Sequence, residues 1–338
     1  MHTLENSVSS LSRRAALGGL LAVSAGLGFA VPGLALAQQQ RGTRRLLVGF
    51  PPGGTADVLA RLLAEKLTRA EDPLIVENKP GAGGRIGAAE LKNGPADGRT
   101  LMVSAGDILT IYPHVFKKIA YDTLMDVTPV APIASEPVGL VVGPMVPASV
   151  KTLADFIAWC RANPKDASYT TAAAGTTMHF LGSMLAKAAN FEFLHVPHRG
   201  GQAAVQDVLG GQIASTMTSM SLAMPFQASG KLRTLAISSQ MRNKRLPDVP
   251  TFIELGYKDL HGLIFYGGYL RSGTAADAIA RWHGEVEQAV KRADVQTTLA
   301  SLSLDPMLMP QPEFAAFVRA ELQRWAPVIK ASGYSADE

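Results

Sequence analysis

Apolar and polar residues fall into blocks whose spacing switches between strand-like and helix-like along most of the chain. The run Leu46-Leu47-Val48 is short and apolar, as a buried strand is, and Pro51-Pro52-Gly53-Gly54-Thr55 follows it. Leu59, Leu62, Leu63 and Leu67 then recur at helical spacing, which predicts a helix over residues 56–67 with one core face. The same reading gives strands at 74–77 and 100–104, a helix at 85–91 between them, and a strand at 138–142 ahead of Pro144 and Pro147. From Lys151 the pattern restarts, with helices at 152–162, 178–188, 202–209 and 222–228 and strands at 168–171, 193–196, 212–216 and 232–238. Residues 262–270 read as a connection, and two helices near 275–292 and 312–330 end the chain. Strands and helices that alternate in this way predict α/β architecture with largely parallel sheets. Two such units joined by two crossings would leave a cleft and a hinge.

The amino terminus stands apart from this pattern. Ser12-Arg13-Arg14 precedes a charge-poor run over 15–36, and Ala35-Leu36-Ala37 has the small-x-small form of a signal-peptidase site, with Gln38 as the first mature residue. The paired arginines point to the twin-arginine export route. An uncleaved membrane anchor is the alternative, since the run approaches the roughly 20 residues that span a bilayer. No later stretch has 18 consecutive apolar residues, so the mature protein is expected to be soluble and outside the cytoplasm. A length of 338 residues with 47% hydrophobic content suffices for two cores of ordinary size. The formal charge of +4 is spread along the chain and demands no nucleic acid. Cys160 is the only cysteine, which excludes an internal disulfide. Its apolar neighbours in Leu-Ala-Asp-Phe-Ile-Ala-Trp-Cys suit a buried thiol rather than a nucleophile.

The chemistry concentrates where strands hand over to helices. A strand that turns through glycines into a helix aims unpaired N–H groups at one spot, and the helix dipole adds partial positive charge there. Residues 46–63 have this form, with Asp57 in the first helical turn. The anion such a site holds could be a phosphate, a substrate carboxylate or the Asp57 side chain itself. A dinucleotide reading of Gly81-Ala82-Gly83-Gly84-Arg85-Ile86-Gly87 fails, because Ile86 stands where the fingerprint needs glycine. No phosphate-binding G-x-x-x-x-G-K-[ST] motif and no G-x-S-x-G elbow occurs, and His195 and His198 lack the partners of a metal site. The small, hydroxyl-rich turn recurs instead, at Ser104-Ala105-Gly106-Asp107, at 170–177 and at Arg199-Gly200-Gly201. Each alone is a capped helix start. Together they suggest loops from two units that offer N–H and O–H donors to a carboxylate between them. Thr55, Ser104, Thr171, Thr176 and Thr177 are the candidate hydroxyl donors, Asp57 is expected to brace the first helix, and Arg199 could pair with a distal carboxylate.

The segments FPPGGTAD, VENKPGAGGRIGAAE, PADGRTLMVS, HVPHRGGQAAVQDVLGGQI, GKLRTLAISSQMRNKRLPDVPTFIELG and EFAAFVRAELQRWAPVIKASG resemble, in this order, the substrate-binding receptors of tripartite tricarboxylate transporters, the Bug family. The resemblance covers about residues 45–333. It implies a type II periplasmic binding protein fold, with two α/β domains joined by two hinge strands and a carboxylate caught between them. The implied division is an export signal over 1–37, a first domain over 44–140, a second over 141–263, and a return strand with terminal helices over 264–338. The family's two ligand loops correspond to 50–57 and 170–179. Phe50, Pro52, Gly53, Gly54, Thr55 and Asp57 on the first, Ser104 and Asp107 beside it, and Thr171, Gly175, Thr176, Thr177 and His179 on the second are therefore the expected ligand-binding set, with Arg199 and Thr218 completing it. The chain departs from the family at Ala173-Ala174-Gly175, where Gly-Asn-Gly is common, and at His198-Arg199-Gly200, where Tyr-Lys-Gly is. Ala214 and Thr218 stand where the family often has an acid, which favours a dicarboxylate or another carboxylate over an amino acid. The resemblance implies a monomeric periplasmic receptor with no catalytic residues, cofactor or metal, which delivers a small carboxylate to a membrane permease. A ligand-dependent sensor partner and an exported α/β enzyme are the rival readings.

Overall fold

The computed structural model describes residues 43–198 and 200–336; the segment 1–37 expected to direct export, and Arg199, lie outside the described residues. The first block follows the expected alternation. Strand β1 (Arg44–Val48) leads through the glycine loop to α1 (Thr55–Leu67), then β2 (Leu74–Asn78), α2 (Arg85–Asn93) and β3 (Thr100–Ala105). Two short helices, α3 (Asp107–Thr110) and α4 (Tyr112–Val115), precede a long strand, β4 (Val127–Val142). The second block runs α5 (Leu153–Ala162), β5 (Ser168–Thr171), α6 (Thr177–Ala188), β6 (Leu194–Pro197), α7 (Gly201–Leu209), β7 (Ser215–Ser219), α8 (Met220–Ala228) and β8 (Arg233–Ile237). The chain returns through β9 (Leu263–Arg271) and ends with α9 (Ala276–Lys291), α10 (Ala293–Ser301), β10 (Asp305–Pro306) and α11 (Gln311–Ser332).

The strands form one sheet in the order β2-β1-β3-β9-β4-β7-β5-β6, with β8 and β10 also paired to β4. Parallel pairing is confined to the two outer groups: β1 with β2 and β3, and β5 with β6 and β7. Between them, β9 and β4 pair antiparallel with each other and with their flanking strands. The sheet is therefore mixed rather than largely parallel.

Two strands differ from the sequence reading for identifiable reasons. β4 begins eleven residues before the expected Val138, through Pro129, Pro132 and Pro137. Proline has no N–H to give to a ladder, and the register on β9 shifts between Pro129 and Ala131 and again between Pro132 and Ala134, so bulges absorb the missing donors. β9 occupies the expected connection. Its Gly267-Gly268 pair, which reads as a turn, instead admits close packing: a Cβ on Gly267 would lie 2.5 Å from the Phe314 ring, and one on Gly268 3.0 Å from Leu101. Helix α10 was not expected either, because its Asp-Val-Gln-Thr-Thr start carries little apolar periodicity.

Trp282 on α9 and Trp325 on α11 are fully buried, which fixes both terminal helices to the sheet. Trp282 donates from Nε1 to the Gly98 carbonyl at 2.7 Å and lies under the buried Arg44 guanidinium, which pairs with Asp72 and Glu285. Cys160 is buried on α5, and burial pushes its thiol up to about 12, which removes thiolate reactivity. Among the described residues, no helix is long and apolar enough to cross a membrane.

Candidate functional site

The loop between β1 and α1 has the geometry its composition predicts. Residues 51–54 are exposed, Gly53 adopts φ +87°, and Gly54 caps α1 in extended backbone without a side chain of its own. Asp57, only 1% exposed, points its carboxylate back into the loop. Its Oδ2 accepts from the Gly53 N–H and Arg61 Nε, both at 2.9 Å, and its Oδ1 accepts from Asn78 Nδ2 at 2.9 Å. Asn78 also donates to the Phe50 carbonyl at 3.0 Å, which ties both ends of the loop to β2. Burial alone would raise the Asp57 pKa, but these hydrogen bonds and the Arg61 charge outweigh it and hold the carboxyl below its usual range. A carboxylate so engaged sets the loop's shape.

The glycine-rich segment after β2 supports the same loop from behind. A Cβ on Gly87 would fall 2.8 Å from the Gly49 Cα, and one on Gly49 2.8 Å from the Gly84 carbonyl oxygen. These glycines let α2 approach the β1–α1 loop backbone to backbone, a use in which phosphate plays no part. The Phe50 ring packs on the same segment, 3.0 Å from where a Cβ on Gly84 would stand.

The loop after β5 bonds largely to itself. The hydroxyls of Thr171 and Thr176 both donate to the Ala173 carbonyl, at 2.8 and 3.1 Å, and Thr176 accepts the His179 N–H as the cap of α6. Gly175, at φ +70°, donates its N–H to His179 Nδ1 at 3.1 Å. His179 stacks on His195, with centroids 4.0 Å apart, and His195 Nε2 lies 2.8 Å from the Thr171 hydroxyl. Because Thr171 gives its proton to Ala173, this network assigns the His195 proton to Nε2. Burial lowers His179 to about 4, and burial together with the neighbouring His179 lowers His195 to about 3, so both rings are neutral. They serve as fixed hydrogen-bonding groups.

Thr177 and Asp107 meet across 70 residues of sequence. Asp107 accepts from the Thr177 hydroxyl at 2.8 Å and from the Thr177 N–H at 3.1 Å, so a carboxylate of the chain itself occupies the start of α6. Burial raises the Asp107 pKa, against the lowering effect of these two bonds. In this structure the Thr171, Thr176 and Thr177 hydroxyls, expected as donors to a ligand, each have an acceptor within the protein. Small polar side chains in tight loops bond the nearest backbone or carboxyl group first. Ser104 and Thr218 differ. Their hydroxyls are buried and have no hydrogen-bond partner among the described residues.

Glu136 and Tyr266 escaped the sequence reading. The Thr55 side chain reaches the Tyr266 hydroxyl on β9, and Tyr266 donates at 3.4 Å to Glu136 Oε1 on β4. Glu136 Oε2 accepts the Ser221 N–H in the first turn of α8 at 2.9 Å. This chain joins the first loop, both long strands and α8. Ala105 is the register partner of Tyr266, and Gly106 donates its N–H to the Phe265 carbonyl at 2.8 Å, so the Asp107–Thr177 pair begins two residues beyond that point of the sheet. The structure thus links Thr55 to Tyr266 and Asp107 to Thr177, with Phe50, Pro52, Gly53 and Gly54 on the loop that ends at Thr55 and Asp57 in the helical turn that follows. Two surface depressions of about 690 and 860 Å³ lie elsewhere, along α6 and the end of α11, and contain none of these residues.

A mixed sheet whose parallel outer groups end in glycine and hydroxyl loops defines a periplasmic binding protein-like α/β fold. Solved solute-binding structures match it. The chain belongs to the tripartite tricarboxylate transporter receptor family, whose model matches residues 56–334. It is 31% identical over 291 residues to the protein BugT of Bordetella pertussis, covering 86% of this chain and 89% of that protein. A Rhodopseudomonas palustris protein with adipate superimposes with a TM-score of 0.79 at 27% identity, covering 87% of this chain and 98% of that one. MatC of the same organism, with bound malate, gives 0.73 at 28% identity, covering 85% and 98%. The family consists of periplasmic solute-binding proteins.

Proposed function

We propose that this protein is a receptor, not an enzyme, that captures a small organic carboxylate in the periplasm and delivers it to the permease of a tripartite tricarboxylate-type transporter. The carrying observation is the exposed glycine loop at the start of a 13-residue helix, held in shape by a buried Asp57 whose oxygens are already bonded. A loop fixed in this way presents N–H groups to an anion without rearranging. The bound adipate and malate of the two Rhodopseudomonas palustris proteins support a dicarboxylate as ligand. The amino-terminal segment 1–37 would direct export by the twin-arginine route and be removed.

In this reading, residues 44–140 and 141–263 are two domains, β4 and the return strand β9 are the hinge strands, and the helices that follow within 264–338 pack back on the first domain. Closure would desolvate the ligand and pair its charge with preorganised donors. The first jaw is the 50–57 loop with Ser104 and Asp107. The second is the 171–179 segment, with Thr218 and Arg199 reading the far end of the ligand. Asp107 then acts as a latch between the jaws, because both its bonds are to Thr177. A thermal-shift screen against small mono- and dicarboxylates tests the proposal. A ligand at 100 times its dissociation constant adds about 2.7 kcal/mol of stability, and no shift across the panel would refute the reading.

A further inference from the structure

Glu136 stands out as a buried carboxyl with no cation in contact among the described residues. It is fully buried, its hydrogen-bond donors are the N–H and hydroxyl of Ser221 and the Tyr266 phenol, and it lies one side chain away from the loop proposed to hold the ligand. The surrounding elements leave it so. Tyr266 faces it from β9, α8 carries no charged residue, and the Asp57 carboxylate is bonded to Arg61, Asn78 and Gly53. Arg245 acts on it from a distance and is itself paired with Asp305 of β10 at 3.1 Å. Asp107 adds negative charge from α3. Of the terminal helices packed on β4, α11 has Glu321 paired with Arg324, and α9 has Glu285 paired with Arg44 and Glu287 with Lys291.

An anion drawn into this neighbourhood confronts Glu136 with a like charge. Two carboxylates in one poorly hydrated site do not both stay ionised, so the cheaper response is for one to take up a proton. We propose that the receptor binds its carboxylate together with a proton, which Glu136 accepts, so that Glu136 sets the charge state of ligand the cleft takes. This rests on the carboxylate-receptor reading above. Burial already raises Glu136 to about 7, against the lowering effect of Ser221, Tyr266 and Arg245, so the proton is available at little cost near neutral pH. Binding should therefore weaken as pH rises above that value, by up to about tenfold per pH unit.

The test is titration calorimetry with a panel of small carboxylates, adipate and malate included, in phosphate and in Tris, whose ionisation enthalpies differ. At pH 8 the wild-type protein should show buffer-dependent heats that correspond to roughly one proton taken up per ligand, declining towards pH 5.5. Glu136→Gln, which keeps the shape and cannot titrate, should show no proton uptake and bind at pH 8 about as tightly as the wild type does at pH 5.5. Circular dichroism checks that the variant is folded. Binding with buffer-independent heats would overturn the proposal and leave the receptor reading intact. Proton release would overturn it too, since that is what an amine-bearing ligand would cause by ionising Glu136. No binding by any carboxylate in the panel would overturn the receptor reading, and this inference with it.

Discussion

The stacked pair His179 and His195 makes the second loop acid-sensitive by an amount that can be worked out. Both have folded pKa values below the ordinary 6.5, at about 4 and about 3. The unfolded chain therefore takes up protons first as the pH drops, and stability declines from about pH 6.5 towards the folded values. At pH 5 an unfolded histidine is almost fully protonated and the folded ones hardly at all, so each ring costs about 2 kcal/mol relative to pH 8, whatever its exact folded pKa. The structural consequence falls on the loop, because a protonated His179 Nδ1 can no longer accept the Gly175 N–H. His179→Asn keeps an acceptor near Nδ1, and His195→Gln keeps a donor near Nε2, yet neither new side chain titrates. Urea denaturation followed by circular dichroism at pH 8 and pH 5 gives the comparison. Each variant should lose about 2 kcal/mol less than the wild type over this interval. Glu136 works in the opposite sense: its raised pKa makes the folded state the stronger proton binder between 4.5 and about 7, so it favours folding as the pH falls. The difference between variant and wild type, rather than the wild-type slope alone, is accordingly the diagnostic quantity. Equal losses in wild type and both variants would refute the argument.

Gly54→Asp adds a carboxylate at the cap of α1, where aspartate is a favoured residue, so stability should hold or rise by a few tenths of a kcal/mol while carboxylate binding drops by at least about 100-fold; calorimetry and urea melts read the two effects separately. Asp57→Ala removes the brace from Gly53, Arg61 and Asn78 and should cost about 2–3 kcal/mol, measured by urea denaturation, with a matching loss of affinity. Gly87→Ala drives a methyl to within 2.8 Å of the Gly49 backbone and should cost about 1–3 kcal/mol. Gly284→Ala, on α9 with nothing within 4 Å, should instead stabilise by about 0.5–1 kcal/mol in the same assay.

Local features were readable from the chain alone, and paired ones were not. The first loop was legible because strand, glycine turn and helix are neighbours in sequence, and the inward role of Asp57 follows from its place in the first turn. Cys160 was legible for the same reason. Glu136 was hidden inside a proline-rich stretch that does not look like a strand, and its partner Tyr266 lies 130 residues away. Only the antiparallel pairing of β4 with β9 brings them together, and bulges make that pairing compatible with the prolines. Asp107 and Thr177 meet by the same long-range logic, so the chain could place each beside a helix start without disclosing that one would bond the other. The hydroxyl loops were located correctly, but composition does not reveal whether a threonine's proton goes to a ligand or to the carbonyl two residues away.

The central claim is that the braced glycine loop holds a small carboxylate, and direct titration tests it best. The purified protein and its Gly54→Asp variant would be titrated with adipate, malate and related acids by calorimetry near pH 6. Saturable binding of at least one of these acids, at one site per chain and lost in the variant, is the predicted result. Equal affinity in both proteins, or no heat from any acid in the panel, would contradict it.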